Sequence, residues 1–70
     1  MNIMKLIIWH EREQREETIS FGGKTVAELL QTLSVNPEVV LVVRKDEVLT
    51  ADQTVKNNER IELLSVISGG

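Results

Sequence analysis

The sequence contains no cysteine, so disulfides and thiolate metal sites are excluded. His10 is the only histidine, which removes any multi-histidine metal set and leaves Ser65 and Ser68 without the base that a Ser–His–Asp arrangement needs. Trp9 and Phe21 are the only aromatic residues, so any core must be aliphatic. No long apolar run exists: the stretch Leu6 to Trp9 is far short of the roughly 20 residues that cross a bilayer, and His10, Glu11 and Arg12 follow at once. A leader of charged, then apolar, then small residues is also missing, which sets cytoplasmic localisation as the expectation. The formal charge of −3 runs against a basic nucleic-acid-binding face. Neither a membrane nor direct nucleic-acid contact is expected.

What is present suffices for one small domain. A hydrophobic content of 41% supports one compact core, and at this size such a core typically supplies only ~3–5 kcal/mol. The expected organisation is a single domain over residues 1–70 with a short tail at 68–70.

Ile3 to Trp9 reads as a strand with at least one buried face. His10 to Glu17 is almost wholly charged and reads as a solvated turn. Thr18 to Phe21 alternates polar and apolar residues with the period of a half-buried strand, and Gly22-Gly23 breaks the chain. Thr25-Val26-Ala27-Glu28 matches a capping box. Val26, Leu29, Leu30 and Leu33 follow as one apolar stripe, predicting a helix from Val26 to Ser34. Asn36-Pro37 is expected to stop it, because the residue before proline is pushed out of the α region. Val39 to Arg44 is a β-branched run, Lys45-Asp46 a turn, and Glu47 to Leu49 a short strand. Ala51 to Asn58 is polar, with Val55 as its candidate for burial and Asn57-Asn58 suited to a left-handed turn. Glu59 to Ile67 is the last strand.

The order is strand, strand, helix, strand, short strand, strand. The first and last strands are the most apolar, which places them side by side and parallel at the centre of a mixed sheet, with one helix packed across it. That is an α+β fold of the β-grasp type.

The side chains offer little catalytic chemistry. His10, at a strand end beside a charged loop, reads as a surface residue. Gly22-Gly23 lacks the spacing of a phosphate-cradling loop. Glu11, Glu13, Glu16 and Glu17 lie in the predicted turn, a poor setting for a fixed acid–base pair. The chain is therefore read as a non-enzyme with no bound cofactor and no metal.

The remaining candidate is the terminus. Ser68-Gly69-Gly70 follows the last strand directly, and Gly69 and Gly70 can thread a narrow channel for want of side chains. Ile67 to Gly70, fully extended, span about 13–14 Å. The Gly70 carboxylate is ionised at neutral pH and is a poor acyl donor until converted to a mixed anhydride. With no phosphate site here, the ATP must be used by a partner enzyme. Capture of the activated glycyl group by a sulfur donor gives a thiocarboxylate; capture by an amine gives an amide.

These features together resemble the ThiS/MoaD family of ubiquitin-like sulfur carriers. The resemblance rests on Thr25-Val26-Ala27-Glu28-Leu29-Leu30, Asn36-Pro37-Glu38, Val39 to Arg44, Asp46-Glu47-Val48-Leu49, Arg60-Ile61-Glu62-Leu63-Leu64 and Gly69-Gly70. Asn36-Pro37-Glu38 with the ending Leu64 to Gly70 is most similar to the tRNA 2-thiouridine carriers of the TtuB type and to archaeal small modifier proteins. The resemblance implies adenylation of Gly70 by an adenylyltransferase of the ThiF/MoeB type, a C-terminal thiocarboxylate, a sulfur donor, and a sulfur-accepting enzyme such as a tRNA thiotransferase. Thiazole (thiamine) synthesis, molybdopterin synthesis and conjugation to lysines through Gly70 are the alternatives it carries. Asn58-Glu59 departs from the Gly-Asp that the family often has before the last strand.

Strand alternation adds a partner surface. Leu6, Ile8, Leu41, Val43, Ile61 and Leu63 are expected to face the helix, leaving Ile7, Val42 and Leu64 outward as an apolar interface. A slip of one residue in any strand reverses its assignments.

Overall fold

The structure, a computed structural model, describes residues 3–66. Its elements are β1 (Met4–His10), β2 (Arg15–Phe21), α1 (Val26–Thr32), β3 (Val40–Arg44), β4 (Glu47–Leu49) and β5 (Arg60–Ser65). The sheet order is β2-β1-β5-β3-β4. β1 and β5 pair in parallel at the centre, and the other neighbours are antiparallel. This is the β-grasp arrangement.

Helix α1 buries Val26, Leu29 and Leu30 in a cluster with Leu6, Ile8, Phe21, Val42, Leu49, Val55, Ile61 and Leu63. Full burial of each such side chain is worth about 1.5–3 kcal/mol, so this one cluster carries the stability of the domain. Gly23 belongs to the same packing. A Cβ there would sit 2.7 Å from the Phe21 ring, whereas at Gly22 it would meet nothing within 4 Å.

Both helix ends are closed locally. The Thr25 hydroxyl accepts from the Glu28 amide, and the Glu28 carboxylate accepts from the Thr25 amide at 3.1 Å. The Val26 and Ala27 amides donate to the carbonyls of Gln53 and Ala51, so the loop before β5 satisfies the donors that a helix start leaves open. At the other end, the Val35 amide donates to Leu30 O and the Ser34 amide to Gln31 O, with Ser34 at φ 58. That is a Schellman motif. It ends the helix two residues before the predicted Ser34 boundary and without help from Pro37.

The first hairpin also differs from expectation. The charged segment read as a turn over His10 to Glu17 is strand from Arg15 onward, because the register continues through Trp9↔Glu16 to His10↔Arg15. Only residues 11–14 turn, and Gln14 takes φ 53. Lys45 and Asp46 both have positive φ, 51 and 65, as a two-residue hairpin turn requires. Asn58, at φ 67, fills the left-handed position where the resemblance would put glycine.

Candidate functional site

Because β1 and β5 are parallel, their C-terminal ends share one pole of the sheet. There the Glu11 amide donates to Leu63 O at 3.1 Å, and the Val66 amide to Val39 O at 2.9 Å. The backbone is thus held on both sides up to Val66, in the middle of the sheet. Gly69 and Gly70, the predicted reacting end, lie outside the described residues, as does Ile67.

A groove of about 370 Å³ opens beside this exit on the helix side of the sheet, lined in part by His10, Arg15, Glu17, Leu33, Val39 and Leu63. His10, expected at the surface, has a side chain only 14% exposed, and its Nε2 lies 2.5 Å from Glu17 Oε2. The pairing follows from the extended β2, which brings Glu17 to the same face one strand away. Arg15 reaches Glu13 at 2.9 Å and Glu17 at 3.8 Å. Among the described residues no group of three His, Asp or Glu side chains is placed to hold a metal ion. Nor is any helix among them long and apolar enough to cross a membrane.

The clearest carboxylate shifts lie elsewhere. Glu28 is held below its ordinary value by the amides of Lys24 and Thr25 and by the Thr25 hydroxyl. Asp52 is lowered chiefly by the Thr50 hydroxyl. Both are cap and turn contacts, remote from the exit of the tail.

The outer face of the sheet carries Ile7 and Leu64, each half-buried, as expected. Val42 does not belong with them. It is 4% exposed and part of the core, because it pairs with inward-facing Leu63, and residues opposite each other in an antiparallel pair share a face. Leu41, expected inward, is 41% exposed and pairs with Leu64 on the outer side. Val43 shares that outer side, opposite Glu62 and Val48. Val48 and Val66, at 55% and 43% exposure, extend the apolar surface, and Val48 was not picked out by sequence reasoning. Trp9, half-buried, completes it, with the Arg60 guanidinium 5.7 Å from its ring centroid. Arg60 in turn reaches Glu16 at 3.1 Å and Glu62 at 3.4 Å. The Lys45-Asp46 turn sets Val48 opposite Val43, so the face of Val48 follows that of β3, which the sequence reading reversed.

Comparison with known proteins adds the family. The ThiS family matches residues 7–70, nearly the whole chain and through the terminal glycines. The chain belongs to the ThiS family. A sulfur carrier protein TtuB of Thermus thermophilus is 40% identical over 57 residues, covering 81% of this chain and 88% of that protein. An uncharacterized protein of Archaeoglobus fulgidus is 33% identical over 58 residues, covering 83% and 85% respectively. Among solved structures, a Caldiarchaeum subterraneum ubiquitin superposes with a TM-score of 0.72 at 16% identity, covering 99% of this chain and all of that one. At that identity the likeness concerns the ubiquitin-like fold alone.

Proposed function

We propose that this ThiS-family chain is a sulfur carrier, with the Gly70 carboxylate as its working group and tRNA 2-thiouridine formation as the destination of the sulfur. The observation that carries the reading is the 40% identity to a sulfur carrier protein, joined to a family match that runs through Gly69-Gly70. A partner adenylyltransferase of the ThiF/MoeB type uses ATP to form the glycyl adenylate. A sulfur donor then displaces AMP to leave a thiocarboxylate, and an accepting enzyme takes the sulfur. The chain itself binds no cofactor and acts as a substrate. Gly69 supplies the slender backbone that enters the partner's active site.

The docking surface assigned to the adenylating partner is the outer face around Ile7, Leu41 and Leu64. It lies beside the end of β5, since Leu64 is the last residue but one of that strand. Exposed apolar residues grouped on one face are the usual mark of such an interface. Removing the gene from its host should abolish tRNA 2-thiouridine, and the full chain should restore it while a Gly70-deleted chain should not. Normal tRNA combined with a thiamine requirement would move the function to thiazole synthesis.

A further inference from the structure

The sheet ends in two strands of unequal length: β4 closes one edge with 3 residues and β2 the other with 7. Edge strands are commonly blunted by shortness, proline or a bulge. β2 has none of these. Its register with β1 runs unbroken from His10↔Arg15 to Met4↔Phe21, and Pro37 is the only proline in the chain. Among the described residues no strand lies against its other side.

The main-chain groups on that side follow from β1. The Ile7 and Glu11 amides donate to the carbonyls of Glu59 and Leu63, toward β5. Successive residues of a strand point these groups to opposite sides, so Leu6, Ile8 and His10 turn theirs toward β2. There they meet Ile19, Glu17 and Arg15. Glu16, Thr18 and Ser20 therefore direct N–H and C=O out of the sheet edge, and all three are exposed.

The side chains select the strand that fits there. An antiparallel copy of β2 can pair only where outward groups meet outward groups. A twofold axis centred on Glu16 or Glu17 sets like carboxylates opposite each other, which is destabilising. Centring it on Ile19 or Ser20 leaves the charged start of β2 unpaired. Centring it on Thr18 uses the whole strand: Thr18 meets Thr18, Glu16 meets Ser20, Glu17 meets Ile19 and Arg15 meets Phe21. No like charges are opposed, and Thr–Thr is a favourable cross-strand pair.

We propose that β2 is a self-association edge, joining two copies of this chain through a Thr18-centred antiparallel ladder of about six hydrogen bonds. The contact is the same patch on both copies, so it closes as a dimer. Pairing edge to edge leaves the outer face of each copy uncovered, and the dimer does not occupy the docking surface assigned above.

Sedimentation equilibrium of the full chain, with neither ATP nor a partner enzyme, tests this apart from the sulfur-carrier reading. The unaltered chain should pass from monomer to dimer between micromolar and millimolar concentration. The Glu16, Thr18 and Ser20 amides should gain protection from hydrogen exchange over the same range. Thr18→Pro removes a donor that points away from β1, so the fold should persist by circular dichroism while the dimer weakens at least about tenfold. Ser20→Glu, opposite Glu16 of the second copy, should weaken the dimer about threefold, and Ser20→Arg should strengthen it by a similar factor. These two keep every main-chain donor and decide the matter independently of the proline variant. Leu64→Glu, on the outer face, should dimerise as the unaltered chain does. A monomer at millimolar concentration would overturn the proposal. So would a dimer indifferent to both Ser20 substitutions, or one abolished by Leu64→Glu.

Discussion

Leu63 and Leu64 are identical side chains at consecutive positions of β5, yet Leu63 is 4% exposed within the core and Leu64 is half-buried on the opposite face. The inner face of the sheet meets α1 and holds the fold. The outer face carries Ile7, Trp9, Leu41, Val48 and Leu64, and no element among the described residues lies across it. A domain this small has little stability in reserve, so apolar residues kept off the inner face point to association as their use.

The comparison is sharpest when each face is damaged in turn. Leu63→Ala should lower stability by about 2–5 kcal/mol, enough to leave much of the chain unfolded, whereas Leu64→Ala should change it by no more than about 0.5 kcal/mol. Urea unfolding monitored by Trp9 fluorescence measures both, and equal losses would break the distinction. The same logic tests β3: Val42→Glu should unfold the chain and Leu41→Glu should not.

Gly23→Ala should cost about 1–3 kcal/mol, because its methyl group meets the Phe21 ring in a filled core. Gly22→Ala, with open space around it, should be neutral or slightly stabilising. Thermal unfolding of the two variants would show the difference. On the outer face, Leu64→Glu should leave the melting temperature unchanged while reducing adenylation at least about tenfold, or ~1.4 kcal/mol. Pyrophosphate exchange with the partner enzyme reads that effect, and an unchanged rate in a folded variant would remove the patch from the account.

The smallest effect belongs to the helix cap, on neither face. Thr25→Ala should cost ~1 kcal/mol. Glu28 is lowered from its ordinary 4.5 in the folded chain. Its contribution is therefore present above that value and lost as the pH falls through the lowered one. Acid titration of Glu28→Gln, followed by circular dichroism, should lack that part of the acid destabilisation.

The capping box and the left-handed Asn58 were legible because each rests on local chemistry that the sequence displays, and the parallel central pair because the first and last strands are the most apolar. The face of β3 was not. Val39-Val40-Leu41-Val42-Val43 is apolar throughout and has no alternation to read, so only pairing with β5 decides which residues turn inward. Arg15-Glu16-Glu17 looked like turn because charged residues are poor strand formers; cross-strand pairing with β1 overrode that preference. The helix end was misplaced because Ser34, a non-glycine residue, adopts the left-handed conformation that usually announces glycine. The reading of Gly69-Gly70 as the reacting end belongs to the proposal, since those glycines lie outside the described residues. His10 was misread because its partner Glu17 was assigned to a turn.

The central claim is that Gly70 is the sulfur-bearing atom group, and intact mass spectrometry tests it most directly. The purified chain would be incubated with ATP, sulfide and its host's adenylyltransferase, beside a Gly70-deleted control. The account predicts a mass gain equal to replacing one oxygen by sulfur, in the full chain only. No change in mass, with the enzyme active on a known carrier, would contradict it.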